Sequence, residues 1–252
     1  MKKDYSNRYQ LIDAFRGFAL VNMVIYHFCY DIFAAYGLDP EWFTYPWVIV
    51  WERFICVSFI LISGISLHFS YHPIRRGLII NLCGLLITLV TALVMPEQAV
   101  WFGVLNLIGC AMLIAALLRK LLDKINPFFG AALSLMLFAV FYGVPERYIG
   151  FFNIKLLRVP DFFYQFKYAA FLGFPDVGFR SSDYFPMIPW IFMFLLGCFL
   201  WHIVRRLRAE ELFRRGLRPL SFLGRHSLVI YLAHQPVLMG VCVLLFDVMG
   251  LR

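Results

Sequence analysis

Residues 12–33 read IDAFRGFALVNMVIYHFCYDIF, an apolar stretch long enough to cross a membrane, since a transmembrane helix needs roughly 20 mostly apolar residues. Hydrophobic residues make up 62% of the whole chain, and charged residues make up 15%, whereas about 25% of a soluble domain is charged. The mean hydropathy is +0.77. The sequence therefore predicts an all-α, polytopic integral membrane protein and excludes an ordinary water-soluble fold.

Six further stretches resemble membrane spans, so we predict one domain over residues 1–252 with about seven transmembrane helices. The predicted spans are residues 12–33, 47–69, 77–95, 101–118, 127–142, 184–204 and 227–249, of which the fifth is the shortest. The long connection between 143 and 183 contains an aromatic run, residues 161–174, that is too short to span. We expect it to form an interfacial or re-entrant helix, either as a membrane-surface anchor or as a platform for a substrate.

Alternate connections are rich in lysine and arginine, which predicts the orientation because cytoplasmic loops are enriched in these residues. The cations in these connections are Lys2, Lys3, Arg8, Arg75, Arg76, Arg119, Lys120, Lys124, Arg205, Arg206, Arg208, Arg214, Arg215, Arg218 and Arg225. The short connections on the other side carry Asp39, Glu41 and Glu97 and no lysine or arginine. We therefore predict a cytoplasmic N-terminus in the inner membrane. The net charge of +8 then reflects topology, and we predict no nucleic-acid partner.

The first predicted helix carries four ionisable residues, Asp13, Arg16, His27 and Asp31, where charged groups are costly and usually face protein. At 100° per residue, all of them lie within about 60° of Arg16, so they form one polar stripe. Asp31 follows His27 by one turn and could reach it through an i,i+4 contact. A carboxylate beside a histidine favours a general base, because it stabilises the imidazolium. A hydrogen-bonded packing role for His27 stays open as the alternative.

Polar residues in or next to the other predicted helices are candidates for substrate contacts. They are Glu52, Arg53, Asn106, Asp183 and His234. Arg53 could stabilise a carbonyl oxygen, or it could simply neutralise Glu52. Asn106 and His234 could contact a substrate or form hydrogen bonds between helices. The chain has no HExxH sequence and no paired Cys/His spacing, so we predict no metal site.

Five segments, taken in chain order, resemble the transmembrane acyltransferase superfamily. The first helix has the superfamily's basic residue, here Arg16, followed after ten residues by a histidine, here His27. The other segments are FILISGISL at 59–67, GVLNLIG at 103–109, DYFPMIPW at 183–190 and GRHSLVIYLAHQPVL at 224–238. The chain is most similar to the bacterial DUF1624 group, which is related to heparan-α-glucosaminide N-acetyltransferase.

The resemblance implies transfer of an acyl group, usually acetyl from acetyl-CoA, to a hydroxyl or amine of a sugar, glycan or glycolipid. It makes His27 the general base, with Arg16 and Asp31 in the same catalytic stripe. The residues expected to line the cavity are Asp13, Glu52, Arg53, Asn106, Asp183 and His234. Arg75 and Arg76 are expected to attract the phosphates of cytoplasmic acyl-CoA. The expected partners are acyl-CoA, the acceptor and the lipid bilayer, and a homo-oligomer stays open.

Two features depart from the larger relatives. The chain has about seven predicted spans where those proteins have ten or eleven, and the loop at 34–45, AAYGLDPEWFTY, lacks the histidine that the lysosomal enzyme has there. The acceptor of the lysosomal enzyme therefore does not carry over directly.

Two other classes of function stay open from the sequence. A small-solute or proton-coupled transporter would also carry Asp, Glu, Arg and His within the membrane, although no inverted repeat is visible. The other alternative is a non-catalytic subunit of an envelope-polymer assembly.

Overall fold

The computed structural model describes residues 9–152 and 154–250, and most of these residues are helical. Their α-helices are α1 Gln10–Tyr30, α2 Pro46–Ser66, α3 Pro73–Val94, α4 Val104–Leu117, α5 Arg119–Leu122, α6 Pro127–Phe141, α7 Met187–Arg206, α8 Arg218–Arg225 and α9 Ser227–Cys242. A small antiparallel hairpin pairs β1 Tyr148–Phe151 with β2 Ile154–Arg158. The prediction of an all-α membrane bundle is confirmed. Part of the predicted orientation depends on Lys2, Lys3 and Arg8, which lie outside the described residues.

Six helices of the described chain, with the turns that extend them, are long and apolar enough to cross a membrane. They cover Gln10–Ala35, Pro46–Phe69, Pro73–Val94, Pro127–Glu146, Met187–Arg206 and Ser227–Val248. Six of the seven predicted spans have such a helix, and the protein is an integral membrane protein. The sequence predicts the fifth span to be the shortest, but its helix continues to Glu146. The short helix is instead α4, in the fourth predicted span, which has 14 residues. The helix starts late because Phe102 has a left-handed backbone and Gly103 an extended one.

The aromatic run at 161–174 does not form the continuous helix expected from the sequence. It contains two short 3-10 helices, Asp161–Gln165 and Lys167–Phe171, with an extended Phe166 between them. In a straight α-helix Phe163 and Phe174 would be about 16 Å apart along the axis. Their rings instead stack with centroids 5.3 Å apart, so the chain folds back on itself to bring its aromatic side chains together.

The chain divides into two compact units: Ile60–Leu207 forms one, and the segments before and after it form the other. We call the second of these the outer-segment unit, because it combines the chain up to Phe59 with the chain from Arg208 onwards. We call Ile60–Leu207 the central unit. The outer-segment unit has a buried core of Leu20, Met23 and Ile55, against which side chains of α8 and α9 pack.

In the outer-segment unit, α1 and α8 pack backbone against backbone. A Cβ atom added to Gly17 would lie 2.0 Å from the carbonyl oxygen of Leu220, and one added to Gly224 would lie 1.8 Å from that of Asp13. Only glycine fits at these two positions, as in close helix pairs of other membrane proteins. Ser221 Oγ also donates to the Gln10 carbonyl at 2.9 Å, which joins the same two helices.

In the central unit, α7 and the part of α2 that follows Phe59 also pack backbone against backbone. A Cβ atom on Gly64 would lie 2.0 Å from the Phe194 carbonyl oxygen, and one on Gly197 would lie 2.2 Å from that of Leu61. Helix α3 meets α4 through Gly84 and Gly109, each of which lies against an asparagine side chain of the other helix. Small residues therefore set the helix spacing within each unit.

We expect Gly224→Ala to destabilise the protein, because its methyl group would overlap the backbone of α1. The expected loss is about 1–3 kcal/mol or more, as for overpacking in other cores. The measurement is the melting temperature of the purified protein in detergent. Gly240→Ala is the matched control, since among the described residues no atom outside its own stretch of helix lies within 4 Å of a Cβ at that position, and alanine favours helix. Equal melting temperatures for the two variants would contradict the close approach of α1 and α8.

Candidate functional site

Two histidines face each other in the outer-segment unit. His27, near the end of α1, and His234, in α9, have ring centroids 4.9 Å apart with an angle of 57° between the ring planes. His27 also packs against Tyr26 in an edge-to-face arrangement, with ring centroids 5.7 Å apart. The sequence predicts each histidine within the membrane, and the fold adds that they are neighbours. We call His27, His234 and the residues that hold them the histidine site.

The tautomer of His234 follows from its backbone contact. Its Nδ1 lies 2.6 Å from the carbonyl oxygen of Tyr231. Because a carbonyl only accepts, Nδ1 carries the hydrogen and Nε2 keeps a lone pair. This Nε2 atom is buried and has no hydrogen-bond partner among the described residues. Buried polar atoms are normally paired, so the site lacks a donor at this position.

The next residue, Gln235, connects α9 to the end of α1. Its Nε2 donates to both carboxylate oxygens of Asp31, at 2.9 and 3.1 Å. Asp31 is only 1% exposed, and it begins a π-helical turn, Asp31–Ala35, of a kind that often occurs at functional sites. Gln235 Oε1 is buried and unpaired like His234 Nε2. The site therefore presents two buried acceptor atoms on adjacent residues.

The i,i+4 contact that the sequence allows between His27 and Asp31 is not made within the described residues. In the described residues the Asp31 carboxylate binds the amide of Gln235 across the helix pair, not the imidazole one turn away. A buried carboxylate needs hydrogen-bond donors, and the amide group of Gln235 supplies them to both oxygens. Asp31 thus positions α9, and through it His234, rather than the ring of His27.

Arg16 and Asp13 form an ion pair at the other end of the polar stripe. Arg16 Nη1 lies 2.8 Å from Asp13 Oδ1 and also donates to the Gly224 carbonyl at 3.3 Å. The Arg16 side chain is 12% exposed. Its positive charge lies at the C-terminal end of α8, where a cation stabilises the helix dipole. The geometry gives Arg16 and Asp13 a part in holding α1 to α8.

Glu52 and Arg53 belong to the same unit as the histidines. Arg53 Nε lies 3.5 Å from Glu52 Oε2, and the Arg53 side chain is 45% exposed. Glu52 also accepts a hydrogen bond from Cys56 Sγ at 3.4 Å. The preceding residue, Trp51, packs against Tyr26 with ring centroids 5.5 Å apart, and Tyr26 packs against His27. Arg53 therefore combines a weak local ion pair with a position near the site.

The other candidates predicted from the sequence lie in the central unit. Asn106 is buried against Gly84, where a Cβ atom would lie 2.7 Å from Asn106 Oδ1. Asp183 Oδ2 accepts a hydrogen bond from the Val104 amide, at 3.4 Å, in the first turn of α4. Arg75 and Arg76 are exposed at the start of α3. Asn106 and Asp183 therefore have clear packing and capping contacts.

Two residues of the site, Gln235 and Tyr231, are not among those predicted from the sequence. Gln235 does carry a recognisable signal, because it is a strongly polar side chain within an apolar span and it directly follows His234. Tyr231 acts through its backbone carbonyl, which every residue has. No residue type could have indicated that contact.

Comparison with known protein families matches residues 8–236 to the family described as heparan-alpha-glucosaminide N-acetyltransferase, catalytic. The match covers most of the chain, includes both histidines of the site and runs through both compact units. No curated protein matches the chain. No solved structure matches it either.

We expect Gln235→Leu to destabilise the protein by about 1–3 kcal/mol, because it leaves the buried Asp31 carboxylate without its donor. The double variant Asp31→Leu/Gln235→Leu should recover part of this loss, since both polar partners are then removed. Thermal unfolding in detergent measures each variant, with Gln98→Leu as a control at an exposed glutamine. If the two residues do not interact, the stability losses of Asp31→Leu and Gln235→Leu should simply add in the double variant. Such additivity would argue against the Asp31–Gln235 interaction.

Proposed function

The chain belongs to the heparan-α-glucosaminide N-acetyltransferase catalytic family, and we propose that it is a membrane acyltransferase that moves an acyl group such as acetyl from acyl-CoA to a hydroxyl or amine of a sugar, glycan or lipid-linked acceptor. One observation carries this proposal: His234 Nε2 and Gln235 Oε1 are buried, unpaired acceptors beside His27. A hydroxyl or amine is a hydrogen-bond donor, so an acceptor group of this kind would satisfy them.

In the proposed reaction His27 is the general base. Its imidazole takes the proton from the acceptor hydroxyl or amine while that oxygen or nitrogen attacks the thioester carbonyl carbon. The carbon–sulfur bond then breaks, and the imidazolium returns the proton to the CoA sulfur. The products are the acylated acceptor and free CoA. The step needs no other reactant, and it is compatible with the histidine-site geometry because a second lone pair, that of His234 Nε2, lies next to the base.

His234 is proposed to hold the acceptor group while His27 removes its proton. Its tautomer leaves the Nε2 lone pair available, and this atom could accept a hydrogen bond from the acceptor. Gln235 and Asp31 are positioning residues in this scheme, since they fix α9 against the end of α1. Arg16 acts at a greater distance, by holding the α1–α8 pair together.

Arg53 is our candidate for stabilising the negative charge on the thioester oxygen. Its guanidinium has donors beyond the one that faces Glu52, and oriented donors near a developing oxyanion are often the largest contribution to catalysis. Arg75 and Arg76 are proposed to attract the phosphates of acyl-CoA, since both are exposed cations at one end of a membrane span.

We further propose that residues 1–252 act as one catalytic domain in the inner membrane, with acetyl-CoA arriving from the cytoplasm. The family match supports a single functional domain, because it runs without interruption through both compact units.

We expect His27→Ala and His234→Ala to reduce acyl transfer, His27→Ala by about 100-fold to 10,000-fold, the usual contribution of a general base. The assay follows CoA release from acetyl-CoA chromatographically, with a panel of amino sugars and neutral sugars as acceptors. His226→Ala is the matched control, because His226 is exposed and its Nδ1 bonds the Phe222 carbonyl within its own helix turn. Full activity in a folded His27→Ala variant would contradict the assignment of His27 as the general base.

Acetyl-CoA should raise the melting temperature of the wild-type protein in a saturable way. A ligand that binds only the folded state stabilises it by about 2.7 kcal/mol at a hundred times its dissociation constant. The same titration with CoA alone tests whether the acyl group contributes to binding. If a stable wild-type protein shows no shift with either ligand, the acyl-CoA proposal fails, and solute flux into proteoliposomes becomes the next measurement.

A further inference from the structure

The connection between α6 and α7, in the central unit, contains a cleft of about 570 Å³ that the proposed reaction does not use. Its walls include Pro145 and Arg147, at the end of the span Pro127–Glu146, and Ser181 and Tyr184, just before α7. The cleft therefore opens where the chain leaves one membrane span and approaches the next. In a bilayer this is the depth of the lipid headgroups.

Arg147 is one of two arginines in the cleft, and its position is held from two sides. Its Nη1 lies 3.1 Å from Asp161 Oδ1, and its guanidinium lies 4.8 Å from the centre of the Tyr164 ring. Asp161 also binds Arg158 at 2.7 Å, and these two arginines, Arg158 foremost, hold the pKa of the Asp161 carboxyl below its usual value. The cluster therefore keeps Arg147 in place and carries a net positive charge.

Arg180 is the second arginine, and it is exposed. Its Nη1 donates to the Phe179 carbonyl at 3.4 Å, and within the described residues it has no carboxylate partner. Asp176 also lies in the cleft wall, but its Oδ1 accepts from the Gly178 amide at 2.8 Å within its own turn. The planar guanidinium of Arg180 thus keeps donors that match an oxyanion.

An apolar wall lies beside these cations. The Phe179 ring stacks on Phe102 with an angle of 15° and packs against Tyr184 with centroids 4.8 Å apart. Val177, on the same loop, is 81% exposed. Pro145 and Pro175 complete this wall. A ligand that fits the cleft would therefore carry an anionic group next to an apolar part.

We propose that this cleft binds the phosphate group of an amphiphile, with Arg180 and Arg147 on the phosphate oxygens and the Phe179–Val177 wall against the apolar part. Phosphate is the anion that a bilayer presents at the depth of the cleft, and lipid headgroups are recognised in other membrane proteins by basic pockets between helices. The same chemistry could come from a membrane phospholipid or from a soluble phosphate ester. The proposal does not depend on the acyltransferase reaction.

The test uses the full-length, delipidated protein in a neutral detergent. Dihexanoyl phosphatidylglycerol and glycerol 3-phosphate are titrated separately, and the dissociation constant is taken from the saturable rise in melting temperature. We expect the lipid to bind the wild-type protein and Arg180→Gln to weaken it about tenfold or more, the usual effect of losing a charge-assisted hydrogen bond. The affinity of Arg180→Lys for the lipid should lie between those of the wild type and Arg180→Gln, because lysine keeps the charge but lacks the planar guanidinium.

Arg215→Gln is the matched control, since Arg215 is also an exposed arginine but belongs to the outer-segment unit. This variant should bind the lipid with the affinity of the wild type. If only the lipid binds, the source is a membrane amphiphile. If glycerol 3-phosphate binds as tightly and with the same dependence on Arg180, the phosphate alone is recognised, the role of the apolar wall is overturned and the source is a soluble phosphate ester. Absence of saturable binding by both probes, or equal weakening in Arg180→Gln and Arg215→Gln, overturns the proposal.

Discussion

The hydrogen bonds between the Gln235 amide and the Asp31 carboxylate determine how the histidine site is assembled. A carboxylate that is almost completely buried among apolar helices has to find donors, and the amide nitrogen of one side chain reaches both of its oxygens. This contact fixes α9 against the end of α1. Because His234 directly precedes Gln235, the same contact places the two imidazole rings next to each other. The position of His234, and the chemistry proposed for the site, therefore depend on Asp31.

The other end of α1 is held by a different combination of forces. Gly17 and Gly224 let two helix backbones meet, and Arg16 binds both Asp13 on its own helix and the carbonyl of Gly224 on α8. In a lipid environment helices gain little from the hydrophobic effect when they associate, so close packing and hydrogen bonds between them carry more of the stability. The polar stripe of α1 thus has a structural end at Arg16, and its other end carries His27, the base of the proposed reaction.

The histidine site and the cleft beside Arg180 differ in the kind of ligand that they can take. The histidine site offers buried lone pairs, at His234 Nε2 and Gln235 Oε1, and so suits a donor such as a hydroxyl or an amine. The cleft offers an exposed guanidinium next to an apolar wall, and so suits an anion on an amphiphile. Each preference follows from which hydrogen-bonding groups the protein leaves without a partner of its own.

The sequence alone determined the class of protein, the positions of the membrane helices, the polar face of α1 and the family, because these depend on composition, on apolar run length and on local spacing. It also singled out His27 and His234, since an ionisable side chain in an apolar span is rare. Only the tertiary structure decided which partner Asp31 takes. The choice lay between His27, one turn away, and Gln235, 204 residues further along the chain. Helical periodicity describes only the first, whereas the second depends on how α9 packs against α1. The folding back of residues 161–174 was likewise decided by ring contacts between residues distant in sequence, such as Phe163 with Phe174, which no local pattern specifies.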